Sequence, residues 1–261
     1  MLKDVSIDDY LFTDEDYDTF QEQYQKSIHP DIMRRRKQVQ EKLDIIHQDL
    51  LPELWKRGYN VDIHPAATKW KRLKYSWDRP VPYNKGIVNW MGIRYGRKTE
   101  VEALNWGAEE KEQKIGFQKF TCFQVDVAQY GVEVGMFHAV PYDNIDRPEM
   151  RSKMSDAKFR QGLIDILKDL KGYGLVWSVS PKGLGTPEDV EQTFTFDLED
   201  VENFPEWYMK YDTDGSYSSL LYRFPKWDRR VLKENIVNSC LDIFDILYPI
   251  YDYIKWKGKG I

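Results

Sequence analysis

Phe120-Thr121-Cys122-Phe123-Gln124-Val125-Asp126-Val127-Ala128-Gln129-Tyr130-Gly131-Val132-Glu133-Val134-Gly135-Met136-Phe137-His138-Ala139-Val140 is the stretch whose reading decides the fold. Its two halves, Phe120 to Val127 and Val132 to Val140, are rich in residues that suit a pleated, half-buried surface. Between them lies Ala128-Gln129-Tyr130-Gly131, where Gly131 can take the positive φ that a hairpin loop often demands. The spacing predicts an antiparallel strand pair. It also places an acid, Asp126, on one strand and an imidazole, His138, on the other.

Working outward, Ile87-Val88-Asn89-Trp90-Met91-Gly92-Ile93-Arg94-Tyr95 is apolar on both parities, as expected of a strand covered at least partly on both faces, with Gly96 closing it. Leu175 to Val179 reads as another strand, stopped by Pro181 and Gly183, and Ser218 to Phe224 as a further one. Helices bracket and interrupt this cluster. Thr13 or Asp14 can cap a short helix to about Tyr24, its acidic first turn matching the helix dipole. Pro30 opens a long amphipathic helix, on which Ile32, Val39, Leu43, Ile46, Leu50 and Leu54 recur as far as Gly58. Ser155 or Asp156 caps a third, with Phe159, Leu163, Ile166, Leu167 and Leu170 on one stripe and Gly172 at its end. A last helix is predicted from about Asp228 to Ile254, bent by Pro249. Residues 59 to 86, with Pro65, Pro80, Pro82 and Gly86, read as irregular or edge strand, and the pattern weakens into short pieces from Thr186 to Asp214.

Strands without regular βαβ alternation predict an α+β fold: a central, mainly antiparallel sheet with long N-terminal and C-terminal helices packed against it. No repeat and no low-complexity linker divides residues 1–261, so a single domain is expected. At 41% hydrophobic and 15% aromatic residues, 261 residues supply one sizeable core without staples. No run approaches the roughly 18 apolar residues that a membrane span needs, and Met1 to Asp18 is acidic where a signal peptide is basic then apolar. The expectation is a cytoplasmic protein with no membrane partner. Cys122 and Cys240 stand in no CxxC or Cys/His spacing and read as buried thiols.

Five segments carry a family resemblance. Phe12-Thr13-Asp14-Glu15-Asp16-Tyr17-Asp18-Thr19-Phe20, a long helix ending Leu50-Leu51-Pro52-Glu53-Leu54, the strand pair around Phe120 and Val132, Val176-Trp177-Ser178, and Leu247-Tyr248-Pro249-Ile250-Tyr251 resemble the YktB-like proteins of unknown function. The resemblance would cover nearly the full length. It implies a compact α+β fold and no activity to transfer, and the family's basic, histidine-bearing segment has no clear counterpart around Lys69 to Arg79.

Charge gives the strongest functional signal. Between His29 and Lys98 lie sixteen Lys or Arg against seven Asp or Glu, in a chain whose formal net charge is −5. Trp55, Tyr59, Trp70, Tyr75, Trp77, Tyr83, Trp90 and Tyr95 are interleaved with them, and cations alternating with flat rings suit a phosphate backbone with exposed bases. Arg34, Arg35, Arg36, Lys69, Lys71, Arg72, Lys74 and Arg79 are the candidate nucleic-acid-binding residues. The bland alternative is that Trp70 and Trp77 are core and the cations dock on acidic segments such as Asp4 to Asp18 or Asp197 to Glu202.

Catalytic signals are weaker. Glu112-Gln113-Lys114 with Glu100 or Glu102 matches a metal-nuclease pattern in letters but lacks the apolar neighbours of a buried strand. His29, His47, His64 and His138 form no ligand pair at fixed spacing, so no metal site and no cofactor are expected. Asp126 and His138 could couple across the hairpin as acid and base. No serine sits in GxSxG, and Lys182-Gly183-Leu184-Gly185-Thr186 is a turn rather than a phosphate loop. Three functions follow as expectations: a non-enzymatic module binding nucleic acid or another polyanion, a hydrolase or nuclease with its site on the central strands, and a protein-interaction subunit using the acidic amino terminus or the last helix.

Overall fold

The structure, a computed structural model, describes residues 5–59, 64–65, 88–96, 120–138, 145–180, 191–213 and 216–255. Its helices are α1 (Asp14–Asp18), α2 (Pro30–Lys56), α3 (Asp146–Lys153), α4 (Ala157–Lys168), α5 (Phe204–Tyr211) and α6 (Ile236–Ile254). Its strands are β1 (His64–Pro65), β2 (Trp90–Gly96), β3 (Cys122–Ala128), β4 (Gly131–Phe137), β5 (Val176–Ser180), β6 (Gln192–Thr195) and β7 (Tyr217–Pro225), hydrogen-bonded in the order β1-β2-β3-β4-β7-β5-β6. The fold is α+β with a mainly antiparallel sheet, as the strand spacing predicts. Among the described residues no helix is long and apolar enough to cross a membrane.

The chain forms two compact units, each assembled from three separate segments. The first comprises Met1–Tyr95, Gln124–Val134 and Arg223–Ile243. Here α2 is the main helix. The His29 side chain accepts from the Asp31 amide at its start, Pro30 fills the first turn, and Gly58 ends it at φ 80°. Its inward stripe is Ile32, Arg36, Val39, Leu43, Ile46, His47, Leu50 and Leu54, all buried. Steps of three and four residues from Ile32 pass through Arg36, so the helical period turns one of the four consecutive cations inward. α1 is shorter than its sequence predicts. Tyr17 and Phe20 both sink into the core, the helix stops at Asp18, and Glu22–Tyr24 turns as a separate 3-10 segment.

The β3–β4 hairpin is tighter than the four-residue loop the sequence predicts. Only Gln129 and Tyr130 form the turn, and Gly131 takes φ 147°. A Cβ at Gly131 would also collide with the Phe224 carbonyl, so glycine is required by close approach as well as by backbone angle. A two-residue turn between equal strands sets Asp126 opposite Glu133 and fixes which side chains share a face.

The second unit comprises Gly96–Phe123, Gly135–Tyr222 and Phe244–Ile261. β5 lies antiparallel to both β6 and β7, with Trp177 paired to Phe194 on one side and Leu220 on the other. The Trp177 indole is fully buried, packs on Phe204 at 4.9 Å between ring centroids and edge-on to Tyr208 at 5.7 Å, and donates its N–H to Ser218 Oγ at 2.8 Å. α4 starts where Asp156 accepts from the Lys158 and Phe159 amides. Phe123 packs on Phe244 and Tyr251 of α6.

Three further elements depart from the sequence reading. α3 is polar, with only Met150 as a buried apolar residue, and shows no amphipathic run. α5 begins at Phe204-Pro205, where proline occupies the first turn instead of breaking an element. Asp228 caps the 3-10 turn Arg229–Val231 by accepting from the Arg230 amide, so α6 starts later, at Ile236.

Candidate functional site

Of the eight candidate nucleic-acid-binding residues, Arg34, Arg35 and Arg36 are described, and Lys69, Lys71, Arg72, Lys74 and Arg79 lie outside the described residues. Arg34 is exposed and Arg35 half-buried, and neither meets a carboxylate among the described residues. Lys37 is exposed, with Glu41 one turn on at 3.8 Å. Arg36 is a correction: it is buried, and its guanidinium donates to the carbonyls of Tyr24 at 2.7 Å, Ser27 at 3.0 Å and Gln25 at 3.3 Å. It latches the loop before α2 and cannot reach a phosphate. Arg94, which lies in the same basic stretch of sequence, is also turned inward.

Arg94 joins Asp126 in a buried cluster of the first unit. Both Nη atoms of Arg94 meet the Asp126 carboxylate, Nη2 donating to Oδ2 at 3.0 Å and Nη1 to Oδ1, while Nη1 also donates to the Ile93 carbonyl at 3.2 Å. The fork geometry of a guanidinium on a carboxylate makes this a strong, oriented pair. Gly92 makes room for it. A Cβ there would run into Asp126 Oδ1 and stand 2.6 Å from the Val125 carbonyl oxygen and 2.8 Å from Arg94 Nη1.

Gly92 therefore faces Asp126. Two residues along the antiparallel pair, Arg94 faces Gln124. Across the hairpin, Glu133 accepts from Arg223 Nε at 2.7 Å, and Arg223 lies over the Tyr130 ring at 5.7 Å. The Arg94 guanidinium in turn sits 4.8 Å from the Trp90 ring centroid. Burial pushes the Asp126 carboxyl up to about 6; Arg94 opposes the rise and the Glu133 charge adds to it.

His138 is held elsewhere. In the second unit its Nδ1 lies 2.7 Å from Thr121 Oγ1 and its Nε2 3.1 Å from the Tyr208 hydroxyl, and the ring is fully buried against Trp177. Burial, with the Arg147 charge, holds the imidazole well below its usual range, so it is neutral. The network extends through Asp212, which takes Arg147 and Arg151, and Arg147 donates to the Ser216 carbonyl and, at 2.8 Å, to its hydroxyl. The Asp126–His138 couple is accordingly not formed. Both imidazole nitrogens have hydroxyl neighbours, the Asp126 oxygens hold Arg94, and strand alternation gives His138 the parity of Val132, Val134 and Met136, opposite to that of Glu133.

His47 lies on the buried stripe of α2. Its Nδ1 is 2.8 Å from the Tyr95 hydroxyl, with the two rings stacked, and burial lowers it to about 3. Cys122 and Cys240 are buried and are not joined in a disulfide. Glu112-Gln113-Lys114 and Lys182 to Thr186 lie outside the described residues. Among the described residues no group of three His, Cys, Asp or Glu could hold a metal ion.

Sequence reading singled out Asp126 but missed Gly92, Arg94, Gln124 and Glu133 as its neighbours. The available signal was parity: once the turn is two residues long, Gln124, Asp126 and Glu133 are polar residues sharing one face of a strand pair whose other face is Val125, Val127, Val132 and Val134. No family model and no curated protein matches the sequence.

Proposed function

We propose that this chain is a non-enzymatic binding module for nucleic acid or another polyanion, with the start of α2 forming part of its contact surface. The observation that carries this reading is the division within Arg34-Arg35-Arg36-Lys37: Arg36 is consumed inside, whereas Arg34 and Arg35 stand beside exposed Lys37 without a carboxylate of their own among the described residues. Cations held close together and left unneutralised attract a chain of phosphates and release its condensed counterions. Lys69, Lys71, Arg72, Lys74 and Arg79 extend the same reading along the sequence.

Anisotropy titration of labelled single-stranded and duplex oligonucleotides at several salt concentrations tests it. Affinity is expected to fall steeply with salt, and the double substitution Arg34→Glu, Arg35→Glu to lower the slope of log K against log salt by roughly two phosphate contacts. Absence of binding at low ionic strength removes the reading.

One observation favours a second reading, a hydrolase or nuclease using the central strands. Burial raises the Asp126 carboxyl to about 6 opposite Glu133, an acid pair on the central strands that becomes available for proton transfer only when Arg94 is drawn off the Asp126 carboxylate. Under this reading Asp126→Asn abolishes cleavage of a nucleic-acid substrate while leaving its binding intact. A substrate that is bound but never cut by the unaltered protein excludes it.

A further inference from the structure

In the second unit, α3 is held in place by charge and not by apolar burial. Met150 is the one buried apolar residue of the helix, whereas Asp146 and Arg147 are both buried. Asp146 Oδ2 accepts from the Thr121 amide at 2.8 Å, and Arg147 and Arg151, one turn apart, both meet the Asp212 carboxylate. Arg147 also donates to the Ser216 carbonyl and hydroxyl. Ion pairs taken out of water recover little more than their desolvation cost, so these bonds hold the helix in position without making its docking strong. Elements of this kind are the ones that open locally, at a free energy below that of global unfolding.

A second group competes for the same carboxylate. His138, immediately after β4, is enclosed by Thr121 Oγ1 at Nδ1, the Tyr208 hydroxyl at Nε2, the Trp177 ring and the Arg147 charge from α3. The Tyr208 hydroxyl also bonds Asp212, so the imidazole stands one hydroxyl away from that carboxylate. With His138 neutral, the charges of Asp146, Arg147, Arg151 and Asp212 balance. A proton on His138 puts a further cation beside Arg147. Departure of α3 removes the surplus, because its two arginines outweigh Asp146, and leaves Asp212 as counterion to the imidazolium. We propose that α3 is a proton-operated latch, closed over His138 at neutral pH and released when His138 takes a proton and replaces Arg147 as the partner of Asp212. The sign follows from burial: the closed state keeps the imidazole neutral, whereas in water it titrates near its ordinary 6.5, so opening takes up a proton below that pH. Asp212, raised by burial, pulls the other way, since the closed state holds its proton more readily.

Amide hydrogen exchange of the full chain, followed by NMR at about pH 7.5 and about pH 5.5 and corrected for intrinsic exchange rates, tests the latch. Protection of α3 and of the Thr121 amide that Asp146 holds is expected to fall together by about tenfold, the factor for one proton taken up by an imidazole of ordinary pKa. α6 keeps its protection over the same range. His138→Gln retains hydrogen-bonding groups toward Thr121 and Tyr208 but cannot take the proton, and it is expected to abolish the fall. Asp212→Asn removes the carboxylate that both cations need and is expected to leave α3 poorly protected at either pH. Thermal melting checks that each variant folds, and the comparison of the two pH values on the unaltered protein needs no variant. Equal protection of α3 at both pH values overturns the latch, as does exchange of α3 only in step with α6. A fall that survives His138→Gln in a folded protein, or full protection of α3 in folded Asp212→Asn, overturns it as well.

Discussion

Asp126 and Arg94 show how much one missing side chain can decide. The pair occupies the volume that any Cβ at position 92 would need, so Gly92→Ala is expected to destabilise the fold by about 1–3 kcal/mol through overpacking, measurable by urea denaturation. Breaking the pair is worse. Arg94→Ala leaves Asp126 buried beside Glu133 and is expected to cost about 3–5 kcal/mol, whereas replacing both partners by apolar residues of similar volume recovers most of it. A double mutant no more stable than Arg94→Ala contradicts this account.

The same residues set opposing responses to acid. His47 is lowered by burial to about 3 from an ordinary 6.5, and His138 is lowered as well, so their contribution is complete above pH 6.5 and is lost as pH falls through the folded values. Asp126 is raised from 3.8 to about 6, so its contribution is complete below 3.8 and is lost as pH rises through 6. Between pH 6 and 4 the two imidazoles therefore lose stability while Asp126 regains some, and the histidines outnumber the carboxyl. Asp126→Asn steepens that loss, and His47→Gln reduces it; unfolding curves at three pH values read both.

Among the elements, the hairpin was legible because each of its strands is chemically uniform and the turn glycine lies next to them. α3 was not. Its anchor is Arg147 reaching Asp212 and Ser216, and that partnership spans a long stretch of chain, beyond any local periodicity. α5 was hidden by Pro205, a residue that stops a helix in its interior but begins one in its first turn. Arg36 and His47 show a different effect: their chemistry suggests solvent, while their spacing from Ile32 places them on the buried stripe. Period outweighed polarity because each found a partner, three carbonyls for Arg36 and a phenol for His47. At β5, Trp177→Ala is expected to cost about 3–5 kcal/mol, since the indole fills the centre of an aromatic group and also ties Ser218 of β7 to it. A change below about 1 kcal/mol in chemical denaturation rejects that assignment.

For the molecule as a whole, the charge count that dominates the sequence overstated the available surface. Arg36, Lys42 and Arg94 are engaged with internal carbonyls or carboxylates, and the polar cluster around Asp126 is built from cancelled pairs. Sequence gives the sum of charges, but only the helical and strand periods, together with long-range pairing, say which of them face water. The salt titration of Arg34 and Arg35 therefore belongs to this scale, since it measures how many cations the folded chain leaves to a partner.

Because each unit draws on three segments, and β3, β4, β7 and α6 each contribute to both, a boundary drawn at any single residue severs one unit or the other. Cutting the gene after Tyr95 would yield a polypeptide lacking two of the three pieces of its own core. Expression as halves is therefore expected to give insoluble material unless the halves are produced together, and a reporter split at that point would register reassembly instead of autonomous folding.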